Sequence, residues 1–166
     1  DSIIGGIGAD TMAGDAGNDT LAGGGGADLL DGGIGSDSLS GGDGNDSLFG
    51  DDGSDQLYGG AGDDQLFGGA LIDNLTGGLG NDQMYGGDFS DAFFIGANEG
   101  NDTIAGGETG YDFDTVVFTG AGGVSVTFTG SEAGTYSHNG GTGTFSEIEG
   151  IQTSDAADTI NGGANT

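Results

Sequence analysis

The chain contains no lysine and no arginine. Against 28 acidic residues and one histidine, this leaves a formal net charge of −28. No side-chain cation is available to pair with the carboxylates, so a compact fold would suffer strong self-repulsion. Bound metal cations are the natural relief. The same absence excludes nucleic acid as a direct partner, because nothing could neutralise phosphates. It also argues against electrostatic docking on an anionic membrane. Cysteine is absent as well, so no disulfide framework exists and an exported chain would need another staple. No apolar run approaches transmembrane length. Apolar residues make up only 33% of the 166, which leaves room for one domain and little for a conventional globular core.

What the chain does have is glycine, 43 residues of it, placed in strict period. From Gly5 to Tyr85 it reads as nine nonapeptides laid end to end. Gly41-Gly42-Asp43-Gly44-Asn45-Asp46-Ser47-Leu48-Phe49 shows the pattern G-G-x-G-x-D-x-U-x, with U a large apolar residue. A tenth unit, Gly86 to Phe94, keeps the frame, and Asp1-Ser2-Ile3-Ile4 supplies the last four positions of a preceding one. Composition of this kind is otherwise compatible with disorder, but disordered low-complexity chains do not hold frame over so many units.

The positions divide the chemistry. The first is glycine in all ten units, and the fourth is glycine at Gly8, Gly17, Gly26, Gly35, Gly44, Gly53, Gly62 and Gly80 but Leu71 and Phe89 in the other two. Glycines at the first, second and fourth positions permit positive φ and close backbone approach, which lets carbonyls converge on a small centre. The sixth position is always aspartate: Asp10, Asp19, Asp28, Asp37, Asp46, Asp55, Asp64, Asp73, Asp82 and Asp91. The eighth is always apolar: Met12, Leu21, Leu30, Leu39, Leu48, Leu57, Leu66, Leu75, Met84 and Phe93. The three residues x-U-x are expected to form a brief strand with U facing inward. One such residue per unit makes no core alone, but stacked units do. Carbonyls plus carboxylates suit a hard cation, and calcium tolerates irregular geometry that magnesium does not. Such sites would be largely empty in the low-calcium cytosol and filled outside the cell.

The nonapeptide resembles that of the repeats-in-toxin (RTX, hemolysin-type) calcium-binding family, closely so over residues 1–94. The resemblance implies an all-β fold, a right-handed parallel β-roll in which two nonapeptides make one coil. Turns n and n+2 then share an edge, with an ion between pairs such as Asp10 and Asp28, Asp19 and Asp37, or Asp28 and Asp46. Residues 1–91 hold 18 aspartates and no base. The scheme gives at most nine calcium ions, so the repeat would be near neutral when loaded and repulsive when empty. Folding should therefore be tightly coupled to calcium. Sites using the turns of Leu71 and Phe89 are expected to be weaker.

The ninth position carries Phe49, Phe67 and Tyr85 on one sheet of such a coil and Tyr58, Thr76 and Phe94 on the other. These read as ladders stabilising short strands, with a stripe for a sugar chain as the rival reading. His138, in Tyr136-Ser137-His138-Asn139, is expected in a polar surface loop, without the company needed for catalysis or zinc binding. The pair Asp112/Asp114 could be read as acid/base groups, though calcium ligation or a solvated loop suits so acidic a chain better. Gly5-Gly6-Ile7-Gly8 is followed by neither lysine nor a helix pattern, so it is no phosphate loop. No catalytic constellation is legible, and the chain is not expected to be an enzyme.

After Asp91 the frame breaks. All five glutamates lie here, and longer strands are expected at 93–95, 115–118, 124–128 and 144–151, separated by turn signals. Repeat-like fragments recur around Asp102 and Asp158, which take the sixth position and are further candidate metal ligands. Residues 95–166 read as a degenerate continuation of the β-roll, with one hairpin excursion around 120–150. No signal peptide is visible and both ends fall inside repeat-like units, so the chain is expected to be a piece of a longer protein.

The expected role is a calcium-binding β-roll segment of a larger secreted bacterial RTX protein, leaving by type I secretion and folding outside the cell, with no membrane insertion. One alternative is a structural segment of a surface layer, adhesin or extracellular filament, whose partners would be other copies or neighbouring repeats. Another is an accessory module of a secreted enzyme that binds polysaccharide.

Overall fold

In a computed structural model describing residues 1–97, 99–107, 112–119, 124–128, 132–138, 140–153 and 158–161, every regular element is a β-strand. Of residues 128, 160 and 161 only the backbone is described. The turn signals at 120–123 and Asn139, and the glycines at 162–163, lie outside the described residues.

Strands alternate between two sheets. One holds, in order, β1 (Ser2–Ile7), β3 (Thr20–Gly25), β5 (Ser38–Asp43), β7 (Gln56–Ala61), β9 (Asn74–Leu79), β11 (Ala92–Ile95), β13 (Thr115–Phe118) and β17 (Gly150–Gln152). The other begins with β2 (Thr11–Ala13), β4 (Leu29–Ile34), β6 (Ser47–Asp52), β8 (Gln65–Ala70), β10 (Gln83–Asp88) and β12 (Asn101–Ala105). It then adds β16 (Gly141–Ser146), β15 (Gly134–His138), β14 (Ser125–Phe128) and β18 (Thr159–Asn161). Within the repeat all pairing is parallel and offset by two units, as in Leu39↔Leu57 and Leu48↔Leu66. This is the parallel β-solenoid of a β-roll, one coil per two nonapeptides.

The core lies between the sheets. Met12, Leu30, Leu48, Leu66, Met84 and Ile104 form one file, and Leu21, Leu39, Leu57, Leu75, Phe93 and Val116 the other, none more than 7% exposed. Each unit thus buries its eighth residue on the eighth residues above and below, which is why a chain so poor in apolar residues still closes a core.

The strands are longer than the three residues expected. From β3 to β10 they run six residues, as in Ser47–Asp52, and take in the first three positions of the following unit. The reason is the period of two: U faces inward, the ninth residue outward, and the first glycine inward again. Only positions four to six remain as the turn.

Beyond residue 94 the parallel sheets go on, through β11–β13–β17 on one side and β10–β12–β16 on the other. There β15 pairs antiparallel with both β16 and β14, and β14 returns to parallel pairing with β18. Phe118, Val124, Val126, Tyr136, Phe145 and Ile148 extend the core.

Candidate metal centre

The sixth-position aspartates form two ladders, one along each edge of the solenoid. The backbone N–H of each donates to Oδ1 of the aspartate 18 residues on: Asp10 to Asp28 at 2.8 Å, Asp28 to Asp46 at 2.7 Å, Asp46 to Asp64 at 2.8 Å, Asp64 to Asp82 at 2.9 Å. On the other edge Asp19 donates to Asp37 and Asp37 to Asp55, both at 2.7 Å, then Asp55 to Asp73 and Asp73 to Asp91, both at 2.8 Å. The expected pairs of turns n and n+2 are therefore neighbours.

From Asp28 and Asp37 onward, one oxygen of each carboxylate is spent on that bond. The other, Oδ2, is buried without a hydrogen-bond partner in Asp10, Asp19, Asp28, Asp37, Asp46, Asp55, Asp64, Asp73, Asp82 and Asp91. A run of orphaned, buried carboxylate oxygens is costly unless a ligand satisfies it. The first glycine of each unit leaves space beside it. A Cβ on Gly41 would stand 2.3 Å from Asp46 Oδ2 and 2.6 Å from the Gly59 carbonyl oxygen. Carbonyls of the other glycines point into the gap between coils too. A Cβ on Gly42 would meet the Gly24 oxygen at 2.1 Å, and one on Gly44 the Gly26 oxygen at 1.8 Å. The fourth-position glycines Gly8, Gly17, Gly26, Gly35, Gly44, Gly53, Gly62 and Gly80 all have positive φ. Leu71 and Phe89 adopt the same hand at 77° and 76°, and Asp73 and Asp91 keep their places in the ladder all the same. The first glycines have no positive φ, contrary to the sequence reading: they are needed for space alone.

From Asp46 onward, burial, opposed by the backbone N–H bond and reinforced by the neighbouring aspartates, raises the carboxyls of Asp46, Asp55, Asp64, Asp73, Asp82 and Asp91 above the ordinary value. Asp55 and Asp64 are pushed up to about 6, Asp73 and Asp82 to about 7, and Asp91 to about 8. Two columns of crowded carboxylates and inward carbonyls, oxygen donors throughout, fit calcium.

Sequence reasoning missed three features. The fifth position carries a second ladder of opposite sense, in which Asp63, Asn81 and Asn101 donate their N–H to Asn45, Asp63 and Asn81 at 3.1, 2.8 and 3.2 Å. The Asn-Asp or Asp-Asp dipeptide in those turns was the signal. Second, the aspartate ladder continues out of frame. Asp91 N–H donates to Asp114 Oδ1 at 2.7 Å, and Asp114 N–H to Glu149 Oε2 at 2.7 Å. Asp114-Thr115-Val116 and Glu149-Gly150-Ile151 keep the acid-x-U pattern that could have found them. Third, Asp102 accepts the Asp82 N–H at 3.1 Å, but its Oδ2 is taken by the Tyr136 hydroxyl at 2.9 Å. Asp158 accepts the Val124 N–H at 2.8 Å.

His138 ends β15 rather than lying in a polar loop. Its ring is 5.8 Å from that of Tyr136, at 23°, and burial lowers its pKa. The aromatic ninth positions stack face to face, Phe49 on Phe67 at 4.9 Å and Phe67 on Tyr85 at 5.0 Å.

Residues 4–39, 40–75, 58–92 and 96–108 match the family described as RTX calcium-binding nonapeptide repeat, in four copies. No curated protein matches the chain. Among solved structures it is similar to the extracellular lipase LipA from Serratia marcescens, at 16% identity and a TM-score of 0.35. That similarity covers 89% of this chain and 38% of the lipase chain.

Proposed function

The chain belongs to the RTX calcium-binding nonapeptide repeat family, and from that premise we propose that it is a segment of a secreted protein that stays unfolded until calcium drives it into the β-roll outside the cell. The observation that carries this reading is the pair of aspartate columns with orphaned, buried Oδ2 atoms. Without cations these columns oppose the fold; with them, the same oxygens hold adjacent coils together. The proposed ligands are Asp10, Asp19, Asp28, Asp37, Asp46, Asp55, Asp64, Asp73, Asp82 and Asp91 with the carbonyls of the turn glycines. Asp102 and Asp158 extend the columns, Asp102 with one oxygen committed to Tyr136. Residues 1–94 are proposed as the regular roll and 95–166 as its degenerate continuation, the antiparallel strands β14 and β15 forming the excursion.

The test is a calcium titration of chelator-stripped protein, followed by far-ultraviolet circular dichroism. A cooperative gain of β-structure with several ions bound is expected. A chain that keeps its β-signal in calcium-free buffer at neutral pH would sink the proposal.

A further inference from the structure

Beyond the last nonapeptide, one ligand atom from each of Asp112, Asp114 and Glu149 lies within 4.8 Å of the others. None of the three falls in the residues that match the repeat family. Asp114 is fully buried at 0% exposure. Its Oδ1 is occupied by the Asp91 N–H at 2.7 Å, and its Oδ2 has no hydrogen-bond partner. Gly106 keeps the space beside that oxygen open: a Cβ there would stand 2.2 Å from Asp114 Oδ2 and 1.9 Å from the Glu147 carbonyl oxygen. The Glu147 backbone is left-handed, φ 56°, a conformation that a glutamate does not adopt without strain. Carboxylates and a carbonyl thus meet at one buried orphan oxygen, in the arrangement of the repeat turns but built from residues 35 positions apart.

The geometry points to a further calcium site here, held by Asp112, Asp114 and Glu149 with the Glu147 carbonyl, which carries the calcium column one coil past the nonapeptides. All the donors are oxygen, which selects a hard divalent cation over zinc or copper. Parallel pairing of Thr115 with Gly150 sets Asp114 beside Glu149, as the repeat sets each aspartate beside the next. The inference rests on the calcium-binding reading of the repeats.

The test is the number of calcium ions bound at saturation by the whole chain, measured by equilibrium dialysis with calcium alone. The wild type is compared with the double variant Asp112→Asn, Glu149→Gln. Asp114 is left intact because it holds the Asp91 N–H, and a glutamine oxygen at 149 still accepts the Asp114 N–H. The variant is expected to bind one ion fewer with its β-signal unchanged. An unchanged ion count overturns the inference and leaves the repeat sites standing, whereas a wild type that binds no calcium overturns both. If the variant fails to fold, anomalous scattering from calcium-loaded wild-type crystals decides. A peak among the three side chains is expected; peaks along the repeat columns with none here overturn the inference.

Discussion

Gly41 and Gly42 are neighbours of the same type serving different ends. Gly42 has φ 113°, a conformation that side chains other than glycine rarely adopt. Gly41 has an ordinary backbone but faces the interior, where a methyl group would strike both Asp46 and the next coil's carbonyl. Gly41→Ala should therefore destabilise the calcium-loaded chain by about 1–3 kcal/mol, the usual range for overpacking, and weaken calcium binding at that coil. Gly25 is a fitting control, since a Cβ there meets nothing within 4 Å. Gly25→Ala should stay within about 0.5 kcal/mol of wild type. Denaturant unfolding at saturating calcium measures both, and equal effects at the two positions would contradict the argument from space.

At the scale of the element, each strand is too short and too poor in side chains to stand alone. Its support comes from the strand one coil above and one below. On the outer face of β6, β8 and β10 this produces the stack of Phe49, Phe67 and Tyr85, with interplanar angles of 4° and 6°. Aromatic pairs contribute about 0.5–1.5 kcal/mol beyond their buried area, and Phe67 belongs to two of them. Phe67→Ala should cost about 1–3 kcal/mol. Tyr58 lies on the opposite sheet between Ser40 and Thr76, so Tyr58→Ala should cost clearly less. Thermal unfolding of the two variants in calcium compares them directly.

For the whole molecule, charge dominates. Asp55, Asp64, Asp73, Asp82 and Asp91 hold their protons more tightly when folded than the ordinary value of 3.8, Asp55 to about 6 and Asp91 to about 8, with burial as the chief cause. The folded, calcium-free chain therefore binds more protons than the unfolded one. Its stability from these groups is full below the ordinary carboxyl value and falls as pH rises through about 6 to 8. In calcium-free buffer the β-signal should accordingly grow on acidification from about pH 8 to pH 5, protons partly replacing the metal. Calcium binding in the acid part of that window, where protons hold the calcium-free chain folded, should release them. Circular dichroism across pH, with proton release read in weakly buffered solution, checks both. A β-signal that falls on acidification would show that the columns do not carry the charge problem.

The period of the repeat, the inward eighth residue and the acid at the sixth position are all legible in the order of the amino acids. An unbroken nine-residue frame leaves the strands one common offset, so Leu39 must meet Leu57, and Asp28 must meet Asp46. The inserted residues after Asp91 remove that constraint. Only the tertiary structure decides that Asp91 meets Asp114, that Asp114 meets Glu149, and that the Tyr136 hydroxyl reaches Asp102, across separations of 23, 35 and 34 residues. Connections of unequal length carry no period from which those meetings could be read. They are fixed by the register of parallel strands that sets Phe93, Val116 and the partly buried Ile151 in line. The first glycine tells the same lesson within the repeat. Its presence in every unit was plain in the sequence, but only the packed coils put a carboxylate and a carbonyl where its side chain would have been.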